Sequence, residues 1–172
     1  MFHLHDAVLY GTDGICRITD IARRRFGKDE REYYILTPIH QERSVIYVPT
    51  DNALLLSKMH PVLSADQIEA LLSCVADEAL QPWTADDNRR REQWRQILLS
   101  GDRHSLLRMI RSIYCHSQEQ KQHGRKLHQL DEAAMKEAEE LLYGEFSFVL
   151  HIPCDEVLPY LIERLGPVHE TA

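Results

Sequence analysis

The hydrophobic pattern of this chain changes period near residue 64, and that change excludes a fold built from one kind of element. Before it, short β-branched and aromatic runs alternate with turn residues. Phe2, Leu4 and Val8 begin a strand pattern that Gly11-Thr-Asp-Gly14 interrupts; glycines there supply the positive φ of a tight turn. Ile15–Ile21, Glu32–Leu36 and Ser44–Val48 read as further strands, with Pro38 and Pro49 closing the last two. Arg23–Glu30 reads as an exposed hairpin. Several short strands with turns between them predict a small antiparallel barrel.

After the change, apolar residues recur at helical spacing. Ser64-Ala-Asp-Gln67 fits a capping box, and Ile68, Leu71, Leu72 and Val75 then share one face. A second helix is expected from about Asn88 to Leu99, with Ser100-Gly-Asp102 as its break. Leu106, Leu107, Ile110, Ile113 and Tyr114 form the stripe of a third, which Gly124 ends or kinks. Asp131 and Asp155 are placed as caps of a fourth and a fifth. Pro159 is tolerated in early turns, and Gly166-Pro167 stops the chain's last helix. The expected architecture is α+β: an SH3- or Tudor-like barrel over residues 1–56, then an all-helical domain of about five helices over residues 57–172.

Several functions lose support at once. No apolar run approaches the roughly 20 residues of a membrane span, and the N-terminus lacks the features of a signal peptide, so a cytoplasmic location is expected. Cys16, Cys74, Cys115 and Cys154 are far apart and read as small buried hydrophobes. The ten histidines show no zinc-ligand spacing, and no phosphate loop or nucleophile elbow is present. No catalytic residue, metal site or cofactor is therefore assigned. A thiol- or metal-dependent enzyme is the least supported alternative.

Charge is uneven. The chain carries a net −7, yet residues 88–126 hold ten basic and three acidic side chains. A basic segment inside an acidic protein suits phosphate backbone, or it simply pairs with acidic neighbours. Asn88-Arg89-Arg90-Arg91 opens a helix, where backbone amides and guanidinium groups together suit a phosphate. Arg108 and Arg111 are spaced to share a face of the next helix. Trp94 matches the core spacing of Ile97 and Leu98, whereas Trp83 sits in a polar linker.

The ordered set Phe2, Asp6, Val8, Tyr10, Gly14, Glu32-Tyr33-Tyr34-Ile35-Leu36 and Tyr47-Val48-Pro49-Thr50-Asp51-Asn52-Ala53 resembles the CarD family. The N-terminal module of that family is shared with transcription-repair coupling factors. Asn88-Arg89-Arg90, Leu98, Ser100-Gly101-Asp102 and Leu107–Ile113 look like the family's helical domain. The resemblance implies a barrel that binds the RNA polymerase β subunit and a helical domain that stabilises the promoter open complex, with no small-molecule substrate. It places Arg24, Tyr47, Val48 and Pro49 at the polymerase and Asn88, Arg89, Arg90, Arg91 and Trp83 at DNA. Two positions depart from the family. Tyr47 stands where a basic contact is usual, and Asp87 stands where many members carry a DNA-wedging tryptophan. A carboxylate is repelled by phosphate and cannot stack. The alternative is a polymerase-tethered adaptor that does not touch DNA.

Overall fold

The computed structural model describes residues 1–166, so Pro167 of the expected stop lies outside the described residues. The chain divides into two compact units, Met1–Leu63 and Ser64–Ala172. The sheet of the first unit runs beyond the expected boundary at residue 56, because Met59–Pro61 forms a strand.

The first unit is a five-stranded antiparallel sheet. Its strands are β1 (Ala7–Tyr10), β2 (Gly14–Phe26), β3 (Asp29–Pro38), β4 (Ile46–Pro49) and β5 (Met59–Pro61), in the order β4-β3-β2-β1-β5. β4 and β5 are its two ends, so the closure expected of a barrel is not formed by strand pairing. Gly11–Asp13 makes a single 3-10 turn between β1 and β2, and Gly14 takes φ 74° on leaving it. The expected exposed hairpin is the β2–β3 connection, in which Phe26 pairs with Asp29 around Gly27. β2 carries a register shift between Ile18 and Asp20. Such a bulge adds one residue and bends the strand; the extra residue, Thr19, donates its hydroxyl to Ile35 O at 3.1 Å.

Alternation then sorts the side chains. Tyr34 pairs with Val48, and Leu36 with Ile18; these residues join Val8, Tyr10, Cys16 and Met59 in the core. A short helix, α1 (Ala53–Leu56), adds Leu55 and Leu56 to that core and is capped by the Asn52 side chain on Leu55 N–H. Tyr33, Ile35 and Tyr47 take the other face, since neighbours along a strand point oppositely.

Among its described residues the second unit has five helices: α2 (Ala65–Asp77), α3 (Asp87–Ser100), α4 (Arg103–Gln122), α5 (Gln129–Leu150) and α6 (Cys154–Leu165). The capping box at Ser64 and Gln67 is formed in both directions. Gly101 adopts the left-handed conformation, φ 61°, that closes α3 and lets Asp102 cap α4. Two expected caps are elsewhere. His128 caps α5 and Pro153 precedes α6, so neither Asp131 nor Asp155 is an N-cap. Ile68, Leu72, Trp94, Leu107, Ile110, Ala138, Leu142, Phe146, Val157 and Leu161 are buried in the core of this unit. Of the four cysteines only Cys16 is buried; Cys74 and Cys154 are exposed. Among the described residues, no helix is long and apolar enough to cross a membrane.

Candidate functional site

Two surfaces carry the residues singled out from the sequence, one on each unit. On the first unit the surface is the outer face of β2, β3 and β4. Ala22 pairs with Tyr33 and Ile35 with Tyr47, so Asp20, Ala22, Arg24 and Phe26 line up beside Tyr33 and Ile35, with Tyr47 and Pro49 next to them. Phe26, Tyr33 and Tyr47 form a triangle of edge-to-face contacts, with centroids 5.2 to 6.2 Å apart. Phe26 is 52% exposed and Tyr47 42% exposed, so the cluster opens to solvent. Its rim carries the Arg24–Asp20 ion pair at 3.3 Å. Edge-to-face aromatic rings with a polar rim have the composition of a protein-binding patch.

The strand that bounds this face is also available. β4 is hydrogen-bonded to β3 on one side and ends the sheet on the other. An unpaired edge can accept a strand from a partner through backbone groups alone. Of the four residues expected here, Arg24, Tyr47 and Pro49 share the outer face. Val48 does not, because its side chain is fully buried in the core. Only its backbone is available. Phe26 was missed in the sequence; its signal was the alternation Ala22, Arg24, Phe26 opposite Tyr33.

On the second unit, the arginine run at the start of α3 is divided. Asn88, Arg89 and Arg91 are exposed, whereas Arg90 is 3% exposed. Arg90 Nε and Nη2 donate to both oxygens of Asp131 at 2.8 and 3.0 Å. Its Nη1 donates to Thr84 O and Ala85 O, and Nη2 also donates to Asp87 at 2.8 Å. All five guanidinium protons thus have acceptors. Trp94 Nε1 donates to the same Asp131 at 2.9 Å. The hydrogen bonds to Asp131, then that to Asp87, hold the Arg90 pKa above its usual value. Arg90 is therefore a structural cation that holds α3 to α5, not a group free to meet phosphate.

Trp83 is committed as well. It stacks on His116 with centroids 3.7 Å apart and lies under the Arg90 guanidinium at 4.9 Å. One of the helix amides expected to receive a phosphate is also in use: the Asp86 carboxylate accepts Arg89 N–H at 2.7 Å. Asp87 pairs with Arg90 and faces His128 at 3.6 Å. The Arg90 hydrogen bond holds its carboxyl below the usual range, so it keeps its negative charge. Arg108 and Arg111 serve packing too, the first on Glu78 at 3.0 Å and the second on the carbonyls of Val75 and Glu78.

A different set of cations remains open. Where α4 ends and α5 begins, a concavity of about 390 Å³ is lined by Lys121, Arg125, Lys126 and Lys136, with Glu132 and Glu139. Among the described residues these four cations form no ion pair. Lys121, Arg125 and Lys126 belong to the basic segment noted in the sequence.

The first unit is thus a small sheet whose β4 edge lies beside an aromatic cluster open to solvent. Residues 2–63 match the family model described as CarD-like/TRCF RID domain, so the N-terminal unit is similar to that domain. No curated protein matches the chain. A match to that domain points to an RNA polymerase-interacting, transcription-related role.

Proposed function

We propose that this protein is a cytoplasmic transcription regulator that docks on the RNA polymerase β subunit through its first unit and modulates the stability of the promoter open complex. The observation that carries the reading is the coincidence of the family match over residues 2–63 with the open β4 edge and the Phe26, Tyr33 and Tyr47 patch. Backbone pairing along β4 gives affinity, and the aromatic patch beside Arg24 and Pro49 gives selectivity. Tyr47, in place of a cation, makes this contact more apolar than the family pattern. The test is binding of the full chain to polymerase. Tyr47→Ala and Phe26→Ala are expected to weaken binding at least tenfold with the fold intact. Unchanged affinity in both would remove this surface from the reading.

The second unit contacts DNA through backbone electrostatics. Exposed Arg89 and Arg91, together with Lys121, Arg125, Lys126 and Lys136, supply the charge, and exposed Asn88 adds a neutral hydrogen-bonding group. Arg90 and Trp83 do not take part, being held within the unit. The alternative, an adaptor without DNA contact, is favoured by Asp87 and by the net −7. Open-complex lifetime separates the two. Replacing Arg89, Arg91, Lys121 and Lys126 with Ala shortens it if DNA is touched and leaves it unchanged for an adaptor.

A further inference from the structure

Away from both surfaces, three side chains of metal-ligating type meet between α2 and α4. Cys74 and Glu78 lie one turn apart at the end of α2, and His104 is in the first turn of α4. One ligand atom from each falls within 4.8 Å of the others. Cys74 Sγ is 3.7 Å from Glu78 Oε1, and His104 Nε2 is 2.5 Å from that same oxygen. We propose that Cys74, Glu78 and His104 form a site for a zinc-type divalent transition metal.

The donor set fits that chemistry. Thiolate, imidazole and carboxylate are the three ligand types of Zn²⁺, and three protein ligands leave one tetrahedral position for water or a further ligand. With bonds of about 2.0–2.3 Å, ligand atoms of a tetrahedral site stand roughly 3.3–3.7 Å apart. The sulfur–oxygen separation already matches. The nitrogen–oxygen pair opens by about 1 Å as the metal replaces the proton between them. Cys74 thiol and His104 Nε2 present their lone pairs by giving up any proton there to solvent. A thiolate and a carboxylate then neutralise the dication.

The positions are held in advance. Glu78 N–H donates to Val75 O, and its own carbonyl accepts Arg111 Nη1 at 2.9 Å. Arg108 Nε donates to Glu78 Oε2 at 3.0 Å, leaving Oε1 turned toward the other two ligands. His104 rides on a helix start fixed by the Asp102 cap. Outer contacts of this kind orient ligands and raise metal affinity. Cys74 is exposed and the other two are partly so, which gives an ion a path of entry. The competing description is a plain ion pair of Glu78 with His104 and Arg108, beside an idle thiol.

The test uses the full chain, stripped of metal by chelator and titrated with Co²⁺ and Zn²⁺. One equivalent of Co²⁺ is expected to give a thiolate-to-cobalt charge-transfer band. Cys74→Ser removes the band, and Cys74→Ser and His104→Ala each weaken Zn²⁺ about tenfold or more. Cys154→Ser, which removes an exposed thiol on α6, changes neither reading. Because Cys74 is exposed, its replacement tests the metal without a folding cost. Absence of binding, binding without the band, or binding that survives both ligand substitutions would overturn the proposal; surviving binding would belong to other histidines.

Discussion

Removing Arg90 tests whether the arginine run is a stability element or a DNA contact. Arg90→Met keeps the aliphatic stem and deletes the charge. It leaves Asp131, which is 1% exposed, with only the Trp94 N–H among its described side-chain donors. Breaking a buried pair from one side costs about 3–5 kcal/mol, because the remaining charge is stranded. A helical unit of this size has about 5–15 kcal/mol in total, so the loss is a large share of it. At the unfolding entropy usual for such a length, the drop in Tm is on the order of 15 °C. Thermal melts followed by far-ultraviolet circular dichroism measure it, with exposed Arg89→Ala as the control expected within about 0.5 kcal/mol. The double change Arg90→Met with Asp131→Leu is expected to recover most of the loss, since no charge is then stranded. If Arg90→Met melts within about 2 °C of Arg89→Ala, the buried-pair reasoning is wrong.

Val48→Ala removes core volume between β3 and β4 and is expected to cost the first unit about 2 kcal/mol in urea unfolding, whereas Tyr47→Ala costs far less. Gly101→Ala forces a side chain into a left-handed backbone at φ 61° and is expected to cost about 1–2 kcal/mol by the same assay. The hydrogen bonds from Ser105 hold the Asp102 carboxyl below its usual pKa. Its contribution is therefore full above roughly pH 4 and fades as the pH falls through the depressed folded value. Asp102→Ala should lose about 1 kcal/mol at neutral pH and show a shallower fall in Tm on acidification.

Local patterns were readable without the fold. The capping box at Ser64, the break at Ser100-Gly101-Asp102 and the aromatic and β-branched strand through Glu32–Leu36 are each written within a few residues, and each formed as read. What failed depends on partners distant in sequence. Asp131 has the look of a helix cap, but its role is set by Arg90, 41 positions away. Arg111 reads as a surface charge until α2 brings two carbonyls to it. Cys74 and Glu78 are one turn apart, but a linker and α3 separate them from His104, so the three share no short motif before packing joins them. For the barrel expectation, the sequence pattern gives strands but not closure; in the strand order β4 and β5 are the two ends of the sheet.

The brevity of β4 limits what can be added to it. Four residues at about 3.3 Å each offer an incoming strand roughly 13 Å of template. Pro49 has no N–H, and Pro49 O already accepts Asn52 N–H. The ladder available to a partner is thus centred on Ile46, Tyr47 and Val48. So few backbone bonds cannot discriminate among sequences or hold a long fibril-like stack. On the proposed docking, recognition would fall to the aromatic side chains alongside, and the open sheet edge would stay selective about what it joins.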